Sequence, residues 1–385
     1  METGKLTRLG MLRRSRAMVS RRVWKSRLVF WSGALLIGAI SAGFARAADY
    51  AHHLFTRLVA QDGLSLAPLV ITPLGFVALA YASRRWFPGT QGSGIPQAIA
   101  SRSLRDLPGR GGLLSLRIAV GKVLLTVAGL FCGASIGREG PTVQVGASIM
   151  MLAGRFGGMA EGRGLILAGG AAGVAAAFNT PLAGIVFAIE EMSRAYRART
   201  NGIVLTTVII AGVSSLAILG NYTYFGISHA VLDGRRDWAL VLVCGLAGGL
   251  AGALFSRTMV SLVRRIRRWK GPSPTRKALT VALIAGVITA GIGVGFGGQT
   301  WGTGYEQARA AIEGEAPSAG YFALKLITTL AASVSGIPGG LFAPSLSVGA
   351  GLGATVAGLL QSQVGLAAIL GMAGYFAGVT QAPMT

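Results

Sequence analysis

The sequence predicts an all-α polytopic membrane protein, and three observations carry that prediction: an apolar composition, long apolar runs separated by short basic stretches, and an internal repeat. Of 385 residues, 52% are hydrophobic, 13% are charged and 59 are Gly. The mean hydropathy of +0.59 goes with about half the charged fraction of an ordinary soluble domain. The formal charge of +23 would suit a nucleic-acid partner. However, the basic residues lie in short stretches between runs long enough to cross a bilayer, which takes about 20 residues. No nucleic-acid partner is therefore expected, and the lipid bilayer takes its place. The two cysteines, Cys132 and Cys244, each sit in an apolar segment. Two isolated thiols make neither a disulfide framework nor a metal site, and packing roles are expected of them.

The N-terminus is the first element. Lys5, Arg8, Arg13, Arg14, Arg16, Arg21, Arg22, Lys25 and Arg27 precede an apolar run that opens at about residue 28. A cleaved signal peptide would have a shorter apolar core ending at a small-residue cleavage site, so residues 1–27 read as a basic cytoplasmic tail. Apolar spans follow at roughly 28–47, 66–83, 203–220, 238–262 and 278–296. With the tail inside, Arg84 and Arg85 fall inside, as does the cluster Arg264, Arg265, Arg267, Arg268, Lys270, Arg276 and Lys277. Asp49 and Asp62, and later Asp233 and Asp237, fall outside. One topology thus satisfies the positive-inside rule. At about 90–200 and 318–385 the apolar segments are interrupted by Gly and Pro and are often too short to cross alone, so short broken helices buried in protein are expected there.

The repeat is the most informative feature. Lys122, Thr126, Gly137, Pro141, Val145, Gly146 and Ala147 recur 203 positions later as Lys325, Thr329, Gly340, Pro344, Val348, Gly349 and Ala350. At an offset of 202, Gly169, Ala171, Ala175 and Pro181 match Gly371, Ala373, Ala377 and Pro383. Two halves are expected, at about 28–220 and 236–385, within one transmembrane domain over 28–385. In the first half the helix after Pro181 runs on through Glu190, Glu191 and Met192. The second half ends at Thr385, four residues past the equivalent of Asn179, and is expected to be cut short.

Three loops each place a Pro where a helix opens: Gly92-Ser93-Gly94-Ile95-Pro96, Gly137-Arg138-Glu139-Gly140-Pro141 and Gly339-Gly340-Leu341-Phe342-Ala343-Pro344. Glycine admits close approach of the backbone, and the first amides of a helix have no internal partner. Three helix N-termini aimed at one point, each equivalent to roughly half a positive charge, would hold an anion without a full positive charge, leaving it free to depart. Any one such loop alone is equally an ordinary Gly-Pro helix break.

Taken together and in this order, the GSGIP, GREGP and GLFAP segments resemble the three anion-binding signatures of the CLC family of chloride channels and transporters. The resemblance runs from about residue 28 to Thr385. It includes Lys122 and the Pro181-Leu182-Ala183-Gly184 run into Glu190-Glu191. It implies a CLC fold of tilted, broken helices in two inverted repeats, a homodimer with one pore per subunit, and chloride and protons as the ions moved. Ser93 resembles the serine whose hydroxyl donates to the central chloride, a position where nitrate-preferring relatives have proline. Gly94, Arg138, Gly140 and the Leu341 and Phe342 amides complete the expected chloride site, with Gly92, Pro96, Gly137, Pro141, Gly340 and Pro344 as its structural signature.

Glu139 resembles the gating glutamate, which occupies an anion site when charged and vacates it on protonation. A carboxylate at membrane depth costs about 3 kcal/mol and needs a reason to be there; a salt bridge to Arg138 is the structural alternative. Glu191 resembles the internal glutamate that passes protons in exchangers, with pairing to Arg194, Arg197 or Arg199 as its alternative. Glu190 is the weaker choice of relay. Lys122 reads as a structural cation, buried against polar partners or snorkelling, with at most a weak pull on the anion path.

The chain departs from the pattern at Gln97, Ala98 and Ile99, where many bacterial exchangers carry acidic residues. It also stops short of the helices that in the family carry a chloride-binding tyrosine and line the inner vestibule. The expected function is chloride/proton antiport in a bacterial inner membrane with the N-terminus cytoplasmic. No enzyme activity, organic cofactor or metal is expected. A passive channel of the same fold and an inactive membrane scaffold are the alternatives, and Glu191 argues against the channel.

Overall fold

The computed structural model describes residues 21–61, 65–104, 107–158, 162–193, 198–221, 223–228, 230–232, 234–269 and 273–384. Most of the expected basic tail, and Asp62, Arg194, Arg197, Asp233, Lys270 and Thr385, lie outside the described residues. The described chain is helical nearly throughout. In the first half, α1 (Arg21–Val59) leads to α2 (Pro68–Arg85), α3 (Ile95–Ser103), α4 (Leu107–Leu113) and α5 (Leu116–Phe131). These are followed by α6 (Glu139–Phe156), α7 (Arg163–Phe178), α8 (Pro181–Phe187) and α9 (Ala198–Leu219). The second half holds α10 (Arg235–Arg268), α11 (Pro274–Gly295), α12 (Tyr305–Ile312), α13 (Tyr321–Val334), α14 (Phe342–Leu360) and α15 (Val364–Thr380).

Among the described residues, five stretches are long and apolar enough to cross a membrane: Trp24–Val59, Gly109–Phe131, Asp237–Arg268, Pro274–Gly295 and Phe342–Leu360. Three of them match expected spans. Two, Gly109–Phe131 and Phe342–Leu360, fall in the regions expected to be broken, and the second is 72% buried within the protein. The stretches expected to span at 66–83 and 203–220 are helical, as α2 and α9, but shorter or less apolar than that standard. The 39-residue α1 is about 58 Å long at 1.5 Å per residue, twice a hydrocarbon core, and must tilt or project. It begins at Arg21, inside the stretch expected as tail.

The repeat is visible as packing. α5, α6 and α7 correspond to α13, α14 and α15. The repeated glycines lie where paired helices cross backbone to backbone. A Cβ on Gly146 would strike the Gly169 carbonyl, and one on Gly349 would lie 2.6 Å from the Gly371 carbonyl. Small residues at such crossings let helices associate in a lipid environment, where apolar burial alone offers no drive. Asn179 and Gln381, also equivalent, both close their helices in the left-handed conformation at φ 56°. One buried cluster is centred in the first half around Val143, Met150, Leu167 and Phe187, and Phe342 and Phe376 join it from the second. A second joins the halves through Phe76, Leu130, Ala282 and Ala332. Cys132 packs against Gly75, and Cys244 is buried in the second half; both are free thiols.

The repeated lysines are clamps. Lys122 is fully buried on α5 and donates to the Thr90 and Gly92 carbonyls at 2.5 and 2.8 Å. Lys325 is fully buried on α13 and donates to the Thr300 and Gly302 carbonyls at 2.9 and 2.8 Å. Each ties a Gly-rich loop, Gly92-Ser93-Gly94 or Gly302-Thr303-Gly304, to its own half. This second loop pair is part of the repeat at an offset of 210, and the change of offset hides it from a search in one register. Of the expected roles for Lys122, burial against polar partners holds and snorkelling does not.

Replacing either lysine by methionine keeps most of the volume but leaves buried carbonyls unpaired, a loss of about 2–3 kcal/mol. Lys122→Met and Lys325→Met should each lower the thermal unfolding midpoint in detergent, whereas Lys25→Met, at an exposed position, should leave it unchanged.

Candidate functional site

The three motif loops meet because their backbones pair. Gly137 donates to the Gly340 carbonyl at 2.8 Å and Gly340 donates back at 2.7 Å, a reciprocal antiparallel bridge between residues that are equivalent in the repeat. Equivalent residues that exchange both bonds place the relating two-fold axis between them. Gly92 joins the same knot, donating to the Ile337 carbonyl at 3.2 Å and accepting from Gly339 at 3.1 Å. A Cβ on Gly340 would lie 2.9–3.0 Å from Pro141, the Gly137 carbonyl and the Gly140 amide. One on Gly140 would lie 3.1–3.2 Å from Ser93. The signature glycines therefore allow the loops to touch.

From this knot start α3, α6 and α14. Their N-caps are Gly94, Arg138 and Leu341, and none of these caps its helix with its own side chain. Gly94 has φ 96°, a left-handed conformation that favours glycine, and a Cβ there would meet Gln144 at 2.8 Å. Pro96, Pro141 and Pro344 fall in the first turns, where a missing N–H removes nothing from the helix. Ser93 is half-buried beside Gly140, and Phe342 is buried at the first position of α14. The structure thus brings together Gly92, Ser93, Gly94, Gly137, Gly140, Leu341 and Phe342.

Glu139 is fully buried in this region. The alternative of a salt bridge to Arg138 is not how its oxygens are satisfied: Oε1 accepts from the Tyr224 hydroxyl at 2.6 Å, and Oε2 accepts from the Ala343 amide at 3.4 Å. The side chain folds over Gly137, where an added Cβ would strike Oε2. The carboxylate therefore stands at the N-terminus of α14, in the half opposite its own helix, and not over the start of α6. Arg138 is buried and its Nη1 donates to Asp49 at 3.1 Å, while its guanidinium lies 5.6 Å from the centre of the Tyr224 ring. As N-cap it contributes to the site through its backbone, and its side chain reaches outward to the 60% exposed Asp49.

Glu190 and Glu191 lie in a π-helical turn, Ala188–Ser193, that continues α8; such turns are frequent at functional positions. Both are half-buried. Glu190 accepts from the Met384 amide at 3.1 Å through both oxygens. Gln97 turns its amide to the Gln91 carbonyl at 2.6 Å, and Ala98 is buried.

The residues that sequence reasoning missed are aromatic. Phe178, Phe187 and Phe376 pack on Phe342 at centroid distances of 6.3, 6.2 and 4.8 Å. Tyr224 packs on Phe178 at 5.3 Å and on Tyr305 at 5.5 Å. Burial, and then the negative charge of Glu139, push the Tyr224 phenol well above its ordinary range, so it remains a neutral donor. The only signal in the sequence was the density of aromatics in Asn221-Tyr222-Thr223-Tyr224-Phe225, a connection with no motif. A cavity of about 310 Å³ beside Tyr224 and Arg138 is lined also by Asp49, His52, Thr303 and Tyr305.

Two related halves of broken helices, with uncapped N-termini converging around a buried carboxylate, define an integral membrane protein of the inverted-repeat ion-transport class. The profile of the voltage gated chloride channel family matches residues 74–385, and the chain belongs to that family, the CLC proteins. It is 30% identical over 381 residues to the "H(+)/Cl(-) exchange transporter ClcA" of Yersinia pseudotuberculosis, covering 91% of this chain and 76% of the relative. The protein of the same name from Citrobacter koseri is 31% identical over 373 residues, covering 90% and 76%. Among solved structures, a CLC-type fluoride/proton antiporter superposes with a TM-score of 0.77 at 24% identity, over 92% of this chain and 87% of that one. A slow cyanobacterial Cl-/H+ antiporter superposes at 0.76 and 24%, over 92% and 85%. The fold is the CLC fold.

Proposed function

We propose that this protein exchanges chloride for protons across the membrane, with Glu139 as the gate that both ions use. The carrying observation is the position of its carboxylate: a buried anion held at a helix N-terminus, in the place where the converging loops would hold chloride. Charged, it fills the site; protonated, it no longer draws on the helix amides and yields the site to chloride. The names of the relatives, exchange transporters at 30% identity or more, support antiport over the passive channel.

In this reading Ser93, with the Gly94 and Gly140 backbones and the Leu341 and Phe342 amides, forms the chloride site, and Arg138 contributes its backbone. Glu191 passes protons from the other side of the membrane, helped by a π-turn that re-aims side chains. The basic stretches support a cytoplasmic N-terminus and a cytoplasmic 264–277 cluster, and in this reading the protein works in a bacterial inner membrane as a dimer of separate pores.

Three measurements on reconstituted liposomes test the assignments. Glu139→Gln should leave a chloride flux that no longer varies with pH and carries no protons; coupling that survives would show that another residue is the gate. Glu191→Gln keeps the volume but cannot carry a proton at neutral pH, so proton movement should fall to background while chloride flux persists. Ser93→Pro removes one hydroxyl donor from the anion, a loss of about 1 kcal/mol. It should raise the nitrate-to-chloride transport ratio several-fold, and an unchanged ratio would remove Ser93 from the site.

A further inference from the structure

The shortest bond to the proposed gate comes from outside the three motif loops. Tyr224 belongs to the connection between α9 and α10, and its hydroxyl donates to Glu139 Oε1 at 2.6 Å, whereas the helix amide at Oε2 is 3.4 Å away. The ring has little freedom. Phe178, Phe225 and Tyr305 meet it edge to face at 5.3, 4.7 and 5.5 Å, and the Arg138 guanidinium lies over it at 5.6 Å. Arg138 is in turn fixed by Asp49.

We propose that Tyr224 is a positioning residue, a latch whose hydroxyl holds the charged Glu139 side chain in the closed position and so sets the acidity at which the gate opens. The inference rests on the exchange reading and adds to it the group that tunes it. A hydrogen bond to an ionised acceptor is about twice as strong as one between neutral groups, so the latch grips the carboxylate and slackens when the proton arrives. The contact is therefore selective for one protonation state, which an inert packing tyrosine would not be.

Glu139 meets Tyr224 and the Ala343 amide directly. The charged and titratable groups around the adjoining cavity are Asp49, His52 and His53 on α1, Arg138 at the head of α6, and Tyr305 and Glu306 on α12. Tyr224→Phe leaves all of these, and the aromatic packing, in place and removes one donor. The donor favours the charged carboxylate, so without it protonation requires less acid. The pH of half-maximal chloride flux should move upward by about one unit, with the chloride-to-proton ratio unchanged because Glu139 is intact.

The test is paired chloride and proton flux across a pH series for the full-length wild type, Tyr224→Phe and Glu139→Gln in liposomes. Infrared difference spectra of the same proteins accompany it. The carboxylate band that Glu139→Gln abolishes should be shifted in Tyr224→Phe. A wild-type pH midpoint or an unmoved band in Tyr224→Phe would overturn the latch while leaving exchange standing. Failure of the exchange reading would show separately, as a wild type that moves chloride without protons, and would overturn the latch with it.

Discussion

Everything at the centre of this protein depends on the reciprocal backbone pairing of Gly137 with Gly340. The two bonds are short, buried and related by symmetry, and neither residue can carry a side chain without striking the opposite loop or Glu139. In a low-dielectric interior an unpaired backbone group costs several kcal/mol. A loop that must leave its helix to present amides to an ion therefore needs another loop to satisfy what it gives up. The repeat supplies that partner: each half satisfies the other half's break. Because the pairing spends the glycine backbones on each other, the amides that follow at the starts of α6 and α14 are left to other acceptors, and the Ala343 amide meets the Glu139 carboxylate.

The lysine clamps extend the same logic outward. Lys122 and Lys325 carry charge into the protein only to spend it on the carbonyls of the Gly92 and Gly302 loops. Carbonyls turned inward are the counterpart of amides turned toward the ion, and an ammonium with three donors is the most compact group able to hold two or three of them at once. The first half uses its clamped loop to start α3 beside Gly140. The second half starts α12 from Gly304, also left-handed at φ 74°, next to the cavity that holds Asp49 and Arg138. One device thus shapes both approaches to the centre.

Much of this was legible in the sequence because glycine, proline and lysine in apolar segments are expensive and recur only where geometry demands them. The matched pairs Gly137/Gly340, Gly146/Gly349 and Gly169/Gly371 each turned out to mark a backbone contact. The second clamped loop was hidden because the segment between it and α13 is shorter than its counterpart, which moves Gly302 and Gly304 out of register. The direction of the Glu139 side chain was hidden for a different reason. Sequence places a residue on its own helix, and the carboxylate belongs to the opposite one, reached across the axis. Tyr224 left only a local density of aromatics as a trace: aromatic side chains in a connection carry no periodicity, and its contacts are set by where the chain happens to return.

The partnership of Arg138 with Asp49 bears on why the site is built from backbone at all. A guanidinium next to the converging amides, left unpaired, would add a full positive charge. At 5 Å and an effective dielectric near 20, a unit charge attracts an anion by about 3 kcal/mol, enough to slow release more than a hundredfold. Held instead on the half-exposed Asp49 and over the Tyr224 ring, the charge is spent on the wall. In the proposed site the ion would then meet three helix ends worth roughly half a charge each. That field is strong enough to hold an anion in an apolar surround and weak enough for a carboxylate carried by the protein itself to replace it. In the proposed site Arg138 acts by being drawn away from the ion, and the same side chain lies over the ring of the proposed latch, Tyr224.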